Sequence, residues 1–124
     1  MPSRTSAKLC ATLVVALAVF LPAGCGPNRA GESDAQLGLN ARQSSGRQIF
    51  NERCASCHYP YSSSSLHGPG LDKLFQKKYL PSGLPANDRF VTQTIVNGRR
   101  MMPAAGLTLS DEQLRDLITY LHTL

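Results

Sequence analysis

The stretch Cys54-Ala55-Ser56-Cys57-His58, CASCH, decides how the rest of this chain is read. On a helical turn, residues three apart share a face and stand roughly 5–6 Å apart at Cβ. Two thiols so placed can reach two vinyl groups on one edge of a porphyrin. A histidine directly after the second thiol can then turn its imidazole to the iron, which is the pattern of covalent haem attachment.

A redox dithiol or half of a zinc site are the competing uses of Cys-x-x-Cys. Neither needs a histidine in the next position. A thioredoxin-like dithiol belongs beside a βαβ pattern, and no alternating strands flank CASCH. Structural zinc needs four ligands. The other histidines, His67 and His122, do not stand at zinc-finger spacing, and the other cysteines, Cys10 and Cys25, fall in a segment read as lying outside the fold.

With 124 residues the chain suffices for one domain. It has no tryptophan and few aromatics, so a modest core gains from a large flat cofactor. Arg4 and Lys8 precede the thirteen-residue apolar run Leu9–Leu21, which is short for a membrane span and fits the core of an export signal. The following LPAGC resembles a bacterial lipobox: Ala23 and Gly24 precede Cys25, the residue that would carry lipid, although Pro22 stands where an aliphatic residue is usual. Residues 1–24 are thus expected to be a lipoprotein-type signal peptide, 25–44 a lipidated cysteine and flexible tether, and 45–124 the folded domain. Arg4 and Lys8 leave with the signal, so a formal charge of +5 falls to +3. No basic run with interleaved aromatics is present, so nothing points to nucleic acid.

Gly26 to Ser44 is polar, rich in glycine and without apolar period, the composition of a tether spanning about 25 Å. The first helix is expected over Gly46–Cys54 with Ser44 or Ser45 as cap, placing Phe50 on the face of Cys54. Tyr59–Leu71 reads as loop, and a short helix is expected through Asp72–Phe75. Asp88–Asn97 reads as a second helix with an apolar stripe of Phe90, Val91, Thr94 and Ile95, ended by Gly98. The last helix has a capping box from Ser110 and Gln113, and Leu114, Leu117, Ile118 and Leu121 on one face. The expected fold class is all-α, three to four helices joined by long loops that a rigid cofactor can hold.

A haem iron bound by one histidine has a sixth position, and what fills it separates electron transfer from ligand chemistry. Met102 precedes Pro103 in a loop between two helices. The proline fixes its own φ and biases Met102 to an extended conformation, a stiff mount for a thioether. Met102 is assigned as distal ligand, with Met101 as the alternative.

Taken in order, Phe50, CASCH, the Gly68-Pro69-Gly70-Leu71 stretch, Asn97-Gly98, Met102-Pro103 and Tyr120 resemble the class I c-type cytochromes, the small monohaem family. The resemblance covers about Gly46 to Leu124. It implies a cytochrome c fold around one covalent haem c, with Cys54 and Cys57 as thioether donors and His58 and Met102 as axial ligands. It also implies that the Pro69 carbonyl accepts a hydrogen bond from His58 Nδ1–H, and that Phe50 and Tyr120 mark the crossing of the first and last helices. Tyr59-Pro60 and the serine run Ser62–Ser65 depart from the family pattern.

With both axial sites filled, a substrate has no place on the iron. Soft thioether sulfur favours the ferrous state, and neither oxidation state needs a new ligand. The expected function is therefore an exported, membrane-tethered carrier of single electrons between redox proteins, not an enzyme acting on a small molecule. A haem subunit docked on a dehydrogenase or oxidase, or a sensor with a displaceable methionine, are the alternatives. Lys73, Lys77, Lys78, Arg99 and Arg100 are either a basic rim for an acidic partner or ordinary solvated charge.

Overall fold

The computed structural model describes residues 29–124. Four α-helices follow in order: α1 (Asp34–Leu37), α2 (Ala41–Arg53), α3 (Asp88–Asn97) and α4 (Asp111–Leu121), with single 3-10 turns at Arg29–Gly31 and Leu74–Gln76. Among the described residues the only β pairing is two isolated bridges, Tyr79 with Pro85 and Arg99 with Met102. The architecture is all-α, as the periodicities predict.

Packing of α2 against α4 is the main helix contact. Gly46 permits it. A Cβ at this position would run into the backbone carbonyl of Asp116 and come within 2.8 Å of Tyr120 Cβ. One turn further along, Phe50 meets Tyr120 at a ring-centroid distance of 5.6 Å and a tilt of 57°, and both side chains are fully buried. Tilted aromatic pairs add about 0.5–1.5 kcal/mol beyond the area they bury. Leu117, Ile118, Leu121 and Leu124 extend this core from α4, while Val91 and Ile95 join it from α3.

Each helix start is chemically specified. Ser110 accepts from the Gln113 amide, and Gln113 Oε1 accepts from the Ser110 amide at 2.9 Å, the expected capping box. Asn87 Oδ1 caps α3 by accepting from the Phe90 amide at 3.1 Å.

The N-terminal part of the domain departs from expectation. The helix expected over Gly46–Cys54 is α2, which begins at Ala41, five residues earlier than predicted, and its cap is Asn40 in a reciprocal box with Gln43, not Ser44 or Ser45. The described part of the expected tether, Arg29 to Ser44, is ordered: it forms a 3-10 turn, α1 and the first turn of α2. The absence of apolar period misled here, because this stretch is held by caps, by the Arg47 side chain and by Leu39 packed on the core, not by a periodic apolar face. The expected helix over Asp72–Phe75 is a single 3-10 turn at Leu74–Gln76, entered through Lys73 in the left-handed region at φ +53°. Cys25 and residues 1–24 lie outside the described residues.

Gly46→Ala is expected to destabilise the domain by about 2–3 kcal/mol, since a methyl group must push against backbone. Urea denaturation followed by circular dichroism checks this. A loss of under 0.5 kcal/mol, on the scale of a neutral surface change, contradicts the close crossing.

Candidate cofactor site

The end of α2 delivers CASCH. The Cys54 amide donates to Phe50 O at 2.8 Å, still within the helical pattern, and the His58 amide donates to Cys54 O at 2.9 Å. The chain thus turns tightly through both cysteines, which are half-buried, as is His58. Burial pushes the Cys54 thiol up to about 11, against a smaller opposing pull from the Arg53 charge. A thiol held neutral at physiological pH is ill suited to exchange chemistry, where the thiolate is the working species. No cluster of three His, Cys, Asp or Glu able to hold a metal ion occurs among the described residues.

The loop after His58 folds back onto it. Gly68 donates its amide to Cys57 O at 2.8 Å, and the next residue, Pro69, places its carbonyl oxygen 2.8 Å from His58 Nδ1. With Nδ1–H donating to that carbonyl, Nε2 is left as the free ring nitrogen, the arrangement metal-ligating histidines use. Gly68 lies against the imidazole: a Cβ there would overlap the ring, standing 2.9 Å from Nδ1. Gly70 does the same for the serine run, whose Ser62 and Ser64 carbonyls occupy the space a side chain would need. Tyr59 and Leu71 close the loop through a 2.9 Å backbone bond. The Tyr59-Pro60 and serine departures are accommodated inside this fold-back.

Met102 belongs to a second unit, the loop after α3. Gly98 ends that helix at φ +68°, ψ 174°, a conformation essentially restricted to glycine. A Cβ there would stand 2.6 Å from Met102 O and 2.7 Å from Ala104 N. The Arg99 and Met102 backbones exchange two bonds, of 3.0 and 2.9 Å. Ala105 and Gly106 amides then donate to Ile95 O and Val96 O, satisfying carbonyls at the end of α3. The loop is thus fastened on both sides of Met102. Met102 packs against the core, whereas Met101 is 84% exposed.

The other two histidines have different surroundings. His67 is exposed in the fold-back loop. His122 pairs with Asp88 at 2.7 Å and stacks on Phe75 at 3.8 Å. Sequence reasoning missed Gly68 as a packing partner of the imidazole. Its place one residue before the proline whose carbonyl reaches Nδ1 was the available sign.

Comparison with known proteins agrees with this geometry. Residues 41–121 match the family described as cytochrome c oxidase, cbb3-type, subunit III. The chain is 31% identical over 114 residues to the chloroplastic cytochrome c6 of Chlamydomonas reinhardtii, covering 92% of this chain and 69% of that protein. It is 36% identical over 75 residues to a cytochrome c6-like protein of Nostoc sp., covering 60% of this chain and 64% of the other. Among solved structures, cytochrome c6 from the diatom Phaeodactylum tricornutum superposes with a TM-score of 0.50 at 32% identity, over 64% of this chain and 88% of that one. The helical fold, the CASCH turn and these likenesses lead to one conclusion: the chain belongs to the c-type cytochromes, electron carriers with one covalently bound haem.

Proposed function

We propose that Cys54 and Cys57 hold the haem through thioethers, that His58 Nε2 and Met102 Sδ are its axial ligands, and that Pro69 orients the imidazole. What carries this reading is the 2.8 Å contact between His58 Nδ1 and the Pro69 carbonyl, directly beside the two thiols. That hydrogen bond fixes the tautomer and makes the ring a stronger donor. The haem supplies a single electron site; the chain's task is to keep both ligands still as charge changes. Two tied loops do this: one folded onto CASCH through Gly68 and Leu71, one fastened to α3 around Met102. Neither ligand then needs to move, so reorganisation is small. A thioether ligand favours the reduced state.

The electron carrier works with protein donors and acceptors in an extracytoplasmic compartment. Export rests on the basic start and apolar run of residues 1–24, and membrane attachment on lipid at Cys25 within LPAGC. Relatives named cytochrome c6 are compatible with such a carrier.

Replacing Met102 by alanine is expected to abolish the weak far-red absorption of sulfur–iron ligation and to lower the potential by on the order of 0.1–0.3 V, within the ~0.8 V that axial ligands span. Met101→Ala should leave both intact; the reverse pattern reassigns the ligand. Gly68→Ala is expected to displace the imidazole and lower the potential while Cys54 and Cys57 stay attached, read by redox titration and by haem-stained denaturing gels. Cys25→Ser should release the mature protein from membranes into the soluble fraction, and continued co-sedimentation with membranes argues against a lipid anchor.

A further inference from the structure

Arg47 lies outside the residues assigned above to the haem, and its guanidinium makes three hydrogen bonds. It lies on α2, one turn before Phe50, and its side chain is only 11% exposed. Its Nη1 donates to Asp34 Oδ1 at 2.7 Å, and its Nη2 donates to the carbonyls of Glu32 at 2.6 Å and Ala30 at 3.1 Å. One guanidinium thus grips three points of the segment preceding α2. Charge-assisted bonds of this kind are the stronger ones. Ser44 and Arg47 also bond Asp34 and hold its carboxyl below the usual range.

The segment is built to receive that grip. Ser33 and Gln36 form a capping box on α1, Gly38 ends it at φ +68°, and Asn40 with Gln43 starts α2. Leu39 packs against the core. At its far end the Arg29 guanidinium lies 4.7 Å over the Tyr61 ring, and the Tyr61 hydroxyl accepts from Tyr120 OH at 3.3 Å. The segment therefore runs back along α2 and meets the loop three residues beyond His58.

We propose that Arg29–Asn40 is a strap locked to the domain by Arg47, and that it turns the Arg29–Tyr61 side of the protein toward the membrane surface. The second half rests on lipidation of Cys25. Four residue steps separate Cys25 from Arg29, so their Cα atoms can stand no more than about 14 Å apart even when fully extended. A free leash from Cys25 to Ser44 would allow a reach of about 65 Å. With the strap docked, the partner of the Arg29–Tyr61 side is the lipid headgroup layer itself, and the domain holds one face to it instead of swinging. Arg29, exposed and cationic, suits an interface of headgroups.

The test uses the full mature, haem-loaded protein in vesicles containing a headgroup-labelled paramagnetic lipid. Amide hydrogen exchange at Leu37, Gly38 and Leu39 should be slowed, and Arg47→Ala should speed it by about tenfold or more, the size expected for losing hydrogen bonds to a charged group. In the reduced protein, paramagnetic broadening should concentrate on Arg29 and Tyr61–Ser64, and Arg47→Ala should spread it over the domain while leaving the haem spectrum and potential unchanged. Free-chain exchange rates across 37–39 in the unaltered protein overturn the strap. Broadening spread evenly over the unaltered domain overturns the fixed membrane-facing side. A mass spectrum without acyl chains on Cys25 overturns the anchoring reading and the membrane-facing half together, while the exchange rates judge the strap separately.

Discussion

The close approach of α2 and α4 at Gly46 is the constraint from which the rest of the domain takes its geometry. With backbone against backbone at Asp116, the Phe50 and Tyr120 rings are brought into tilted contact and sealed from water. Because Phe50 and Cys54 lie one turn apart on the same helix, this crossing also fixes where the first thiol sits. The Cys54 amide bonds to the Phe50 carbonyl itself. A packing contact between two helices thereby sets the origin of a covalent attachment site.

Beyond that crossing, much of the described chain is loop, and a small domain rarely tolerates so much irregular backbone. Here the loops are tied by backbone hydrogen bonds at places where glycine removes an obstacle. Gly68 lets the chain lie on the imidazole, Gly70 lets the serine run close over it, and Gly98 lets the Met102 carbonyl return to the end of α3. Each loop consequently follows a fixed backbone path. Such rigidity suits a protein whose only chemistry is to change charge by one without changing shape.

Charge is distributed in keeping with that division. The acidic groups Asp111, Glu112 and Asp116 sit in α4, two of them in its first turn, where the helix dipole favours them. Arg42 approaches Asp116 at 3.3 Å across the helix crossing, an ion pair whose geometry is not that of a hydrogen bond. Lys73, Lys77, Lys78, Arg99 and Arg100 lie in the loops, all exposed, and Lys77 donates to the Gly70 carbonyl at 3.2 Å. Part of this basic set thus serves the loop structure.

The sequence by itself determined the chemistry and the helix faces. CASCH, Met102-Pro103 and the capping boxes are local: residue type and spacing suffice because the relevant neighbours lie within a turn. The stripe of Leu117, Ile118 and Leu121 was legible for the same reason, since periodicity reports burial. Tertiary structure alone decided three things. It fixed Gly46 as the contact point of two helices about seventy residues apart, packed Met102 on the core while leaving Met101 exposed, and turned an apparent tether into a segment clasped by Arg47. Each depends on partners distant along the chain, and a polar stretch held by one guanidinium carries no periodic trace of its own order.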